Sequence, residues 1–296
     1  MNTDNEVMKT SFKTVALIGK YKSPEIVEPL LRLAKFLQGR GVAVLLDRLT
    51  ASHIPDCPYP VLLLEELGKQ ADLAIVIGGD GTMLNIARTF APCDVALVGI
   101  NQGRLGFLTD ISTDTMFETI GAILDGKFVA EDRMLLQAEI ISADKRVFDV
   151  LAFNDVVISK GAMGSMIEFE VHIDGQHIYT QRSDGLIVAT PTGSTAYALS
   201  SGGPIVHPSL SVMTLVPVCP HTLSNRPIVI SSECTVEIVI QSADDSRAHF
   251  DSHSHFELHS GDRVVVRRYS HTINLLHPIG HSYYDMLREK LNWNRE

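Results

Sequence analysis

The hydrophobic period of this chain changes once, near residue 131, and the change demands two different kinds of layered structure. Upstream, short apolar runs alternate with helical stripes. Val15–Gly19, Val42–Leu46, Leu73–Ile77 and Val95–Ile100 read as buried strands. Between them Val27, Leu30, Leu31, Ala34 and Leu37 recur at helical spacing and stop at Gly39 and Gly41. Met83, Leu84, Ala87 and Phe90 form a second stripe, and Met116–Leu124 a third, closed by Gly126. Buried strands separated by amphipathic helices predict an α/β domain with a doubly wound parallel sheet over residues 1–130.

Downstream the period is two. Ile167, Phe169, Val171 and Ile173 alternate with Glu168, Glu170 and His172 and end at Asp174-Gly175, a hairpin signal. Leu135–Ile141, Val147–Phe153, Leu186–Ala189, Thr235–Ile240 and Arg263–Arg268 are further strands. Residues 131–276 are therefore expected to form an all-β, antiparallel domain with one short helix after Thr195. Tyr283–Trp293 reads as helix again.

Composition narrows the function. The net charge of −10 disfavours nonspecific nucleic-acid or acidic-membrane binding, which needs basic surface. No apolar run approaches the roughly 20 residues that cross a bilayer, and Met1–Thr14 lacks the pattern of a signal peptide. Cys57, Cys93, Cys219 and Cys234 form no CxxC pair and read as reduced thiols. A cytoplasmic protein without nucleic-acid or membrane partners is expected.

Two loops carry chemistry. Gly78-Gly79-Asp80-Gly81 lies between an apolar strand and a helix, where open α/β sheets bind ligands. Its glycines permit positive φ and close approach of a phosphate, and the helix start near Thr82 offers unpaired N–H groups to an anion. Asp80 is the informative residue, because a carboxylate in a phosphate loop repels the ligand unless it takes a proton, a hydroxyl or a metal. The plainer alternative is a tight turn with Asp80 as a helix cap. Neither GxxxxGK[ST] nor a complete GxGxxG is present, Leu84 standing at the third glycine position.

The second loop runs from Arg182-Ser183-Asp184-Gly185 through Leu186–Ala189 to Pro191-Thr192-Gly193-Ser194-Thr195-Ala196-Tyr197, ending at Ser200-Ser201-Gly202-Gly203-Pro204. Its hydroxyls suit a polyhydroxylated anionic ligand, and Tyr197 offers a ring to a base. A capped turn with a buried tyrosine is the competing explanation.

Taken together, GGDG, Asn101–Leu108 (NQGRLGFL), Asn154-Asp155 and DGLIVATPTGSTAYALSSGGP resemble, in order and over most of the chain, the motif set of the bacterial NAD kinases. The resemblance implies a nucleotide-binding α/β domain, then a dinucleotide-binding β-sandwich, with the last helix (277–296) returning to the first domain. It implies transfer of the γ-phosphoryl of ATP to the 2′-hydroxyl of the adenosine ribose of NAD, giving NADP. Asp80 is then the base, with Gly78, Gly79 and Gly81 making room for phosphates. The NAD contacts it implies are Asp80, Gly81, Asn154, Asp155, Arg182, Asp184, Thr195, Ala196, Tyr197, Ala198, Leu199, Ser200 and His253. A divalent ion, Mg²⁺ or Mn²⁺, accompanies ATP, and the family commonly forms dimers or tetramers. Arg182 is expected to favour NAD⁺ over NADH, and Arg104 is either a contact of the donor phosphates or a surface arginine packing a glycine-rich turn.

Two departures stand out. Asp155 replaces the family's usual glutamate, and Asp251-Ser252-His253 replaces Asp-Gly-Gln. A solvated strand-end residue is the alternative for Asp155. His249, His253, His255 and His259 have no zinc-motif spacing and read as a polar hairpin, so no protein-held metal is expected. Two other functions stay open: a lipid kinase sharing GGDG, and a non-catalytic NAD(P)-binding regulator in which Asp80 is superfluous.

Overall fold

The computed structural model describes residues 12–20, 23–103, 105–161, 165–222, 224–242 and 245–293, so Arg104 lies outside the described residues. The chain divides into two compact units, Met1–Asp132 with Ile273–Glu296, and Arg133–Thr272.

In the first unit the elements follow as β1 (Thr14–Gly19), α1 (Val27–Gly39), β2 (Ala43–Asp47), α2 (Arg48–Ala51), β3 (Val61–Leu62), α3 (Leu64–Gln70), β4 (Leu73–Ile77), α4 (Asp80–Phe90), β5 (Ala96–Asn101), β6 (Ile111–Ser112) and α5 (Met116–Leu124). The five strands β3-β2-β1-β4-β5 pair in that order and all in parallel. Strand order therefore reverses between β1 and β4, the switch point where doubly wound sheets leave a crevice at their carboxyl ends. Val15, Leu17, Ile75 and Ile77 pack with Leu30, Leu33 and Leu37 of α1 and Ile120 and Ile123 of α5. Helix α1 buries Leu30, Ala34 and Leu37 of the predicted stripe together with Leu33, while Val27 and Leu31 are half-buried at its margin.

The second unit contains β8 (Lys145–Ala152), β9 (Asp155–Lys160), β10 (Ile167–Ile173), β11 (Gln176–Ser183), β12 (Gly185–Ala189), α6 (Tyr197–Ser200), β13 (Val212–Val218), β14 (Ile228–Ser231), β15 (Val236–Ser242), β16 (Ser246–Phe250) and β17 (Ser254–Leu258). It also takes most of β7 (Phe128–Ser142) and the start of β18 (Arg263–Pro278). One sheet has the order β14-β13-β12-β9-β16-β17; the other runs β11-β10-β15-β18, and β7 pairs with β8. Pairing is antiparallel throughout β9–β17. Phe169, Val171 and Ile238 from one sheet and Val156, Val188, Leu215 and Phe250 from the other share a single buried cluster, the core of a β-sandwich. The β10–β11 turn has Asp174 at φ 50° and Gly175 at φ 76°, the left-handed pair that a two-residue hairpin needs.

After β18 the chain forms α7 (Tyr283–Lys290), capped by Ser282 Oγ accepting from Asp285 N at 3.3 Å. It stops at Lys290, short of Trp293, with Asn292 at φ 52°. Among the described residues no helix is long and apolar enough to cross a membrane.

Candidate active site

In the first unit the Gly78–Gly81 loop leaves the carboxyl end of β4, beside the strand-order switch. Its anchoring is local: Lys20 N donates to Ile77 O, and Gly78 N to Ile100 O, both at 2.9 Å. The glycines do not use positive φ; Gly79 is extended at φ −115°, and none of the three is among the left-handed residues. What they supply is room, since a Cβ on Gly79 or Gly81 would meet no heavy atom within 4 Å.

Asp80 is the first residue of α4 and does not cap it. Its carboxylate turns to a second loop, accepting Phe107 N at 2.9 Å, Leu108 N at 3.0 Å and the Thr109 hydroxyl at 3.3 Å. That loop is shaped by Asn101, whose amide donates to Thr109 O and Ile111 O. Gly106 is required there, because a Cβ would fall inside van der Waals contact of Asp80 Oδ1. NQGRLGFL and GGDG are thus one assembly. A carboxylate offers about four lone-pair sites; the loop takes three, leaving room for one more donor.

In the second unit three separate stretches meet at the start of β9. Asp251, at φ 50° in the β16–β17 turn, accepts the backbone N–H groups of Phe153 (2.8 Å), Asn154 (2.7 Å) and Asp155 (3.1 Å). From the other loop Thr190 N donates to Asn154 O at 2.9 Å and the Thr190 hydroxyl to Phe153 O at 2.7 Å. Gly193 lies so close to Asn154 O that a Cβ there would clash with it. The Asp251 clamp was not foreseen from the sequence, which marked only the altered residues beside it.

Asp155 is no solvated strand end: it is 3% exposed. Burial, and then the charge of Asp251, push its carboxyl up to about 7. The hydroxyls of the PTGST turn are mainly spent inside the turn. Ser194 donates to Pro191 O at 2.6 Å, Thr195 to Thr192 O at 3.2 Å, and Thr192 accepts from Arg133 at 3.1 Å. They shape the turn, and Ser194 Oγ also accepts Val206 N at 2.9 Å. Tyr197 is 45% exposed, so the buried-tyrosine alternative fails. Beside it Ala198 is buried against Val157, Ile187 and Val216, while Ala196 and Leu199 are half-buried and Ser200 is exposed.

Asp184 is held by Lys160 Nζ at 3.0 Å, and Arg182 reaches Glu168 at 4.0 Å with most of its side chain exposed. A cavity of about 580 Å³, lined by Gln181, His221, Asn225 and Arg226 among others, includes Arg182 alone of the predicted contacts. His253 is exposed in the β16–β17 turn, and His249 pairs across the hairpin with His255. Among the described residues the one His/Cys/Asp/Glu group close enough to share a metal lies elsewhere, at Asp110, His277 and His281 in the first unit.

Residues 15–128 match the model of the ATP-NAD kinase N-terminal domain, and residues 153–277 that of the C-terminal domain. The chain is 62% identical over 283 residues to an NAD kinase of Nitrosomonas europaea, covering 96% of both chains. It is 54% identical over 286 residues to an NAD kinase of Chromobacterium violaceum, covering 97% of this chain and 98% of the relative. Among solved structures it resembles an Archaeoglobus fulgidus NAD kinase in complex with ATP (TM-score 0.72, 26% identity, 94% of this chain and 98% of that one). The fold also matches yeast NADH kinase complexed with NADH (TM-score 0.90, 24% identity, 97% and 89% coverage). The strand-order switch carrying GGDG, the β-sandwich and these matches together place the chain in the ATP-NAD kinase family.

Proposed function

We infer that the chain is an NAD kinase, transferring the γ-phosphoryl of ATP to the 2′-hydroxyl of the adenosine ribose of NAD to give NADP. The observation that carries this reading is Asp80, a carboxylate with spare acceptor capacity in an uncrowded loop at the switch point of a parallel sheet. A bond forms between the 2′-oxygen and the γ-phosphorus as the bond to the β-phosphate oxygen breaks, ADP leaves, and Asp80 takes the hydroxyl proton. The loop holds a single carboxylate, which suits an ion arriving with the nucleotide, so the donor is ATP complexed with Mg²⁺ or Mn²⁺. That ion offsets the charge of the triphosphate.

On this reading Asn154, Asp155 and the Thr195–Ser200 turn bind NAD, with Asp184, Arg182 and His253 as further contacts. Residues 1–130 form the nucleotide-binding domain with 277–296 packed on it, and 131–276 the dinucleotide-binding domain. Ile178 and Val229, exposed on the edge strands β11 and β14, support assembly into a homo-oligomer, a dimer or tetramer. Four free cysteines fit the reducing cytoplasm.

NADP formation from NAD and Mg-ATP by the purified chain tests the assignment; a lipid kinase or a silent binding protein gives none. NAD⁺ and NADH compared by kcat/KM test the role given to Arg182, and equal values would remove it. Tyr197→Ala should raise the KM for NAD about 3- to 5-fold by deleting a ring-on-base contact worth on the order of 1 kcal/mol. Its melting temperature should stay within about a degree, because the ring is half in solvent. A fall of several degrees with unchanged KM would make Tyr197 structural.

A further inference from the structure

The first unit holds a cluster that the reaction does not use. Asp110, just before β6, lies against His277 near the end of β18 and His281 in the turn before α7. His277 Nδ1 is 2.8 Å and His281 Nδ1 2.9 Å from the same oxygen, Asp110 Oδ2. The two rings stack at 3.9 Å with 18° between their planes. The Asp110 side chain is 6% exposed, and its other oxygen, Oδ1, is buried without a hydrogen-bond partner among the described residues.

The protonation pattern of this cluster is awkward without a cation. A neutral imidazole carries hydrogen on one nitrogen only. His277 faces Asp110 through Nδ1 and Glu131 through Nε2 at 3.4 Å, so one nitrogen presents a lone pair to a carboxylate unless the ring is charged. A divalent ion between Oδ2 and the two Nδ1 atoms would let both rings stay neutral, each giving its Nδ1 lone pair to the metal. It leaves Nε2–H of His277 to donate to Glu131, the carboxylate–histidine–metal arrangement that fixes a ligand's tautomer.

We propose that Asp110, His277 and His281 form a three-ligand site for a borderline divalent transition ion of the zinc type, with Glu131 supporting His277 and water completing the coordination. Two imidazoles and one carboxylate are ligands that zinc accepts in tetrahedral sites. Zinc–ligand bonds of about 2.0–2.1 Å set neighbouring ligand atoms about 3.3 Å apart, so each ring need part from the carboxylate by only about 0.4–0.5 Å. The site is separate from the ion carried by ATP, and from the hairpin histidines on which the expectation of no protein-held metal rested. It would tie the loop that Asp80 holds to the returning C-terminal segment of the same unit.

The test is titration of EDTA-dialysed full-length protein with Zn²⁺ by calorimetry, and with Co²⁺ by visible absorption. One equivalent should bind with Kd of about 1 μM or tighter, raise Tm by several degrees, and give a Co²⁺ spectrum of low coordination number. His281→Gln should weaken Zn²⁺ binding at least 30-fold and abolish the Tm rise, while the double variant His249→Gln/His255→Gln binds as the parent does. Absence of saturable binding below 100 μM would overturn the proposal. So would unchanged Zn²⁺ affinity in His281→Gln, or loss of the equivalent in the hairpin variant.

Discussion

Asp80→Asn should lower kcat by roughly 10²–10⁴-fold while the Kd for NAD stays within a few-fold, because it removes the proton acceptor and keeps the volume. A second, smaller effect accompanies it. The carboxylate serves three donors of the Phe107–Thr109 loop, and asparagine has one carbonyl oxygen for them and turns an N–H₂ group toward a backbone N–H. Loss of those bonds costs about 1–3 kcal/mol, so Tm should fall by several degrees. Thr109→Val separates the two roles. It deletes one donor to Asp80 and leaves the carboxylate in place, and kcat should remain within about threefold. Near-normal turnover in Asp80→Asn would make Asp80 a clamp for its neighbouring loop and nothing more.

Asp155→Asn should raise the KM for NAD tenfold or more at pH 8, with the KM for ATP nearly unchanged. An ionised carboxylate accepts two charge-assisted hydrogen bonds from vicinal ribose hydroxyls, each worth about 1.5–3 kcal/mol, where an amide supplies one acceptor. Burial makes the effect depend on pH. With its carboxyl at about 7, Asp155 is charged at pH 8 and largely neutral at pH 6, so the KM of the parent should rise toward that of the variant as pH falls. The stability change has the opposite sense. A carboxyl whose folded value lies above its unfolded value of 3.8 destabilises the fold as pH rises from about 4 to about 7. About three pK units correspond to about 4 kcal/mol as an upper figure. Asp155→Asn should therefore be more stable than the parent at pH 8 and equal to it at pH 4.5. Asp155→Glu should keep KM within a few-fold and lose about 1–3 kcal/mol, since it adds a methylene to a buried position. A KM independent of pH in the parent and unaltered in both variants would sink the ribose assignment.

The parts legible in the sequence are those where a local pattern coincides with a burial pattern. Leu73–Ile77 is fully buried, and the alternation at Ile167–Ile173 points Ile167, Phe169 and Val171 inward. The strand Ser246–Phe250 gives a weak signal because two of its three inward residues, Ser246 and Ala248, are polar or small, although they alternate with Arg247 and His249 as a half-buried strand requires. Helix Leu64–Gln70 was also missed; it buries only Leu67 and Gly68, and Glu66 caps it by accepting Leu63 N at 2.9 Å. Within the site, GGDG and PTGSTAY were visible as loops, but their internal bonding was not. Asp251 reaches backbone 96 to 98 residues earlier in the chain, and His277 meets Asp110 across 167. No period or spacing encodes such a meeting, which depends on where two turns arrive once the sheets have formed.

The return of the chain to its first unit at Ile273 sets an order in time. Leu275 pairs with Leu97 of β5, and His277 with Asp110, so the first unit closes only when the last segment is available. Synthesis delivers the amino-terminal residues first, and domains generally fold as they emerge. Here the edge of β5 at Leu97 waits for Leu275 of β18, made 178 residues later (275 − 97). Arg133–Thr272, by contrast, has β8–β17 whole and the start of β18 by Thr272. The later-made unit can thus finish first. A nascent chain halted at Thr272 would carry the sandwich strands and a parallel sheet still open at β5, and that open edge is where chaperones or proteases would find it.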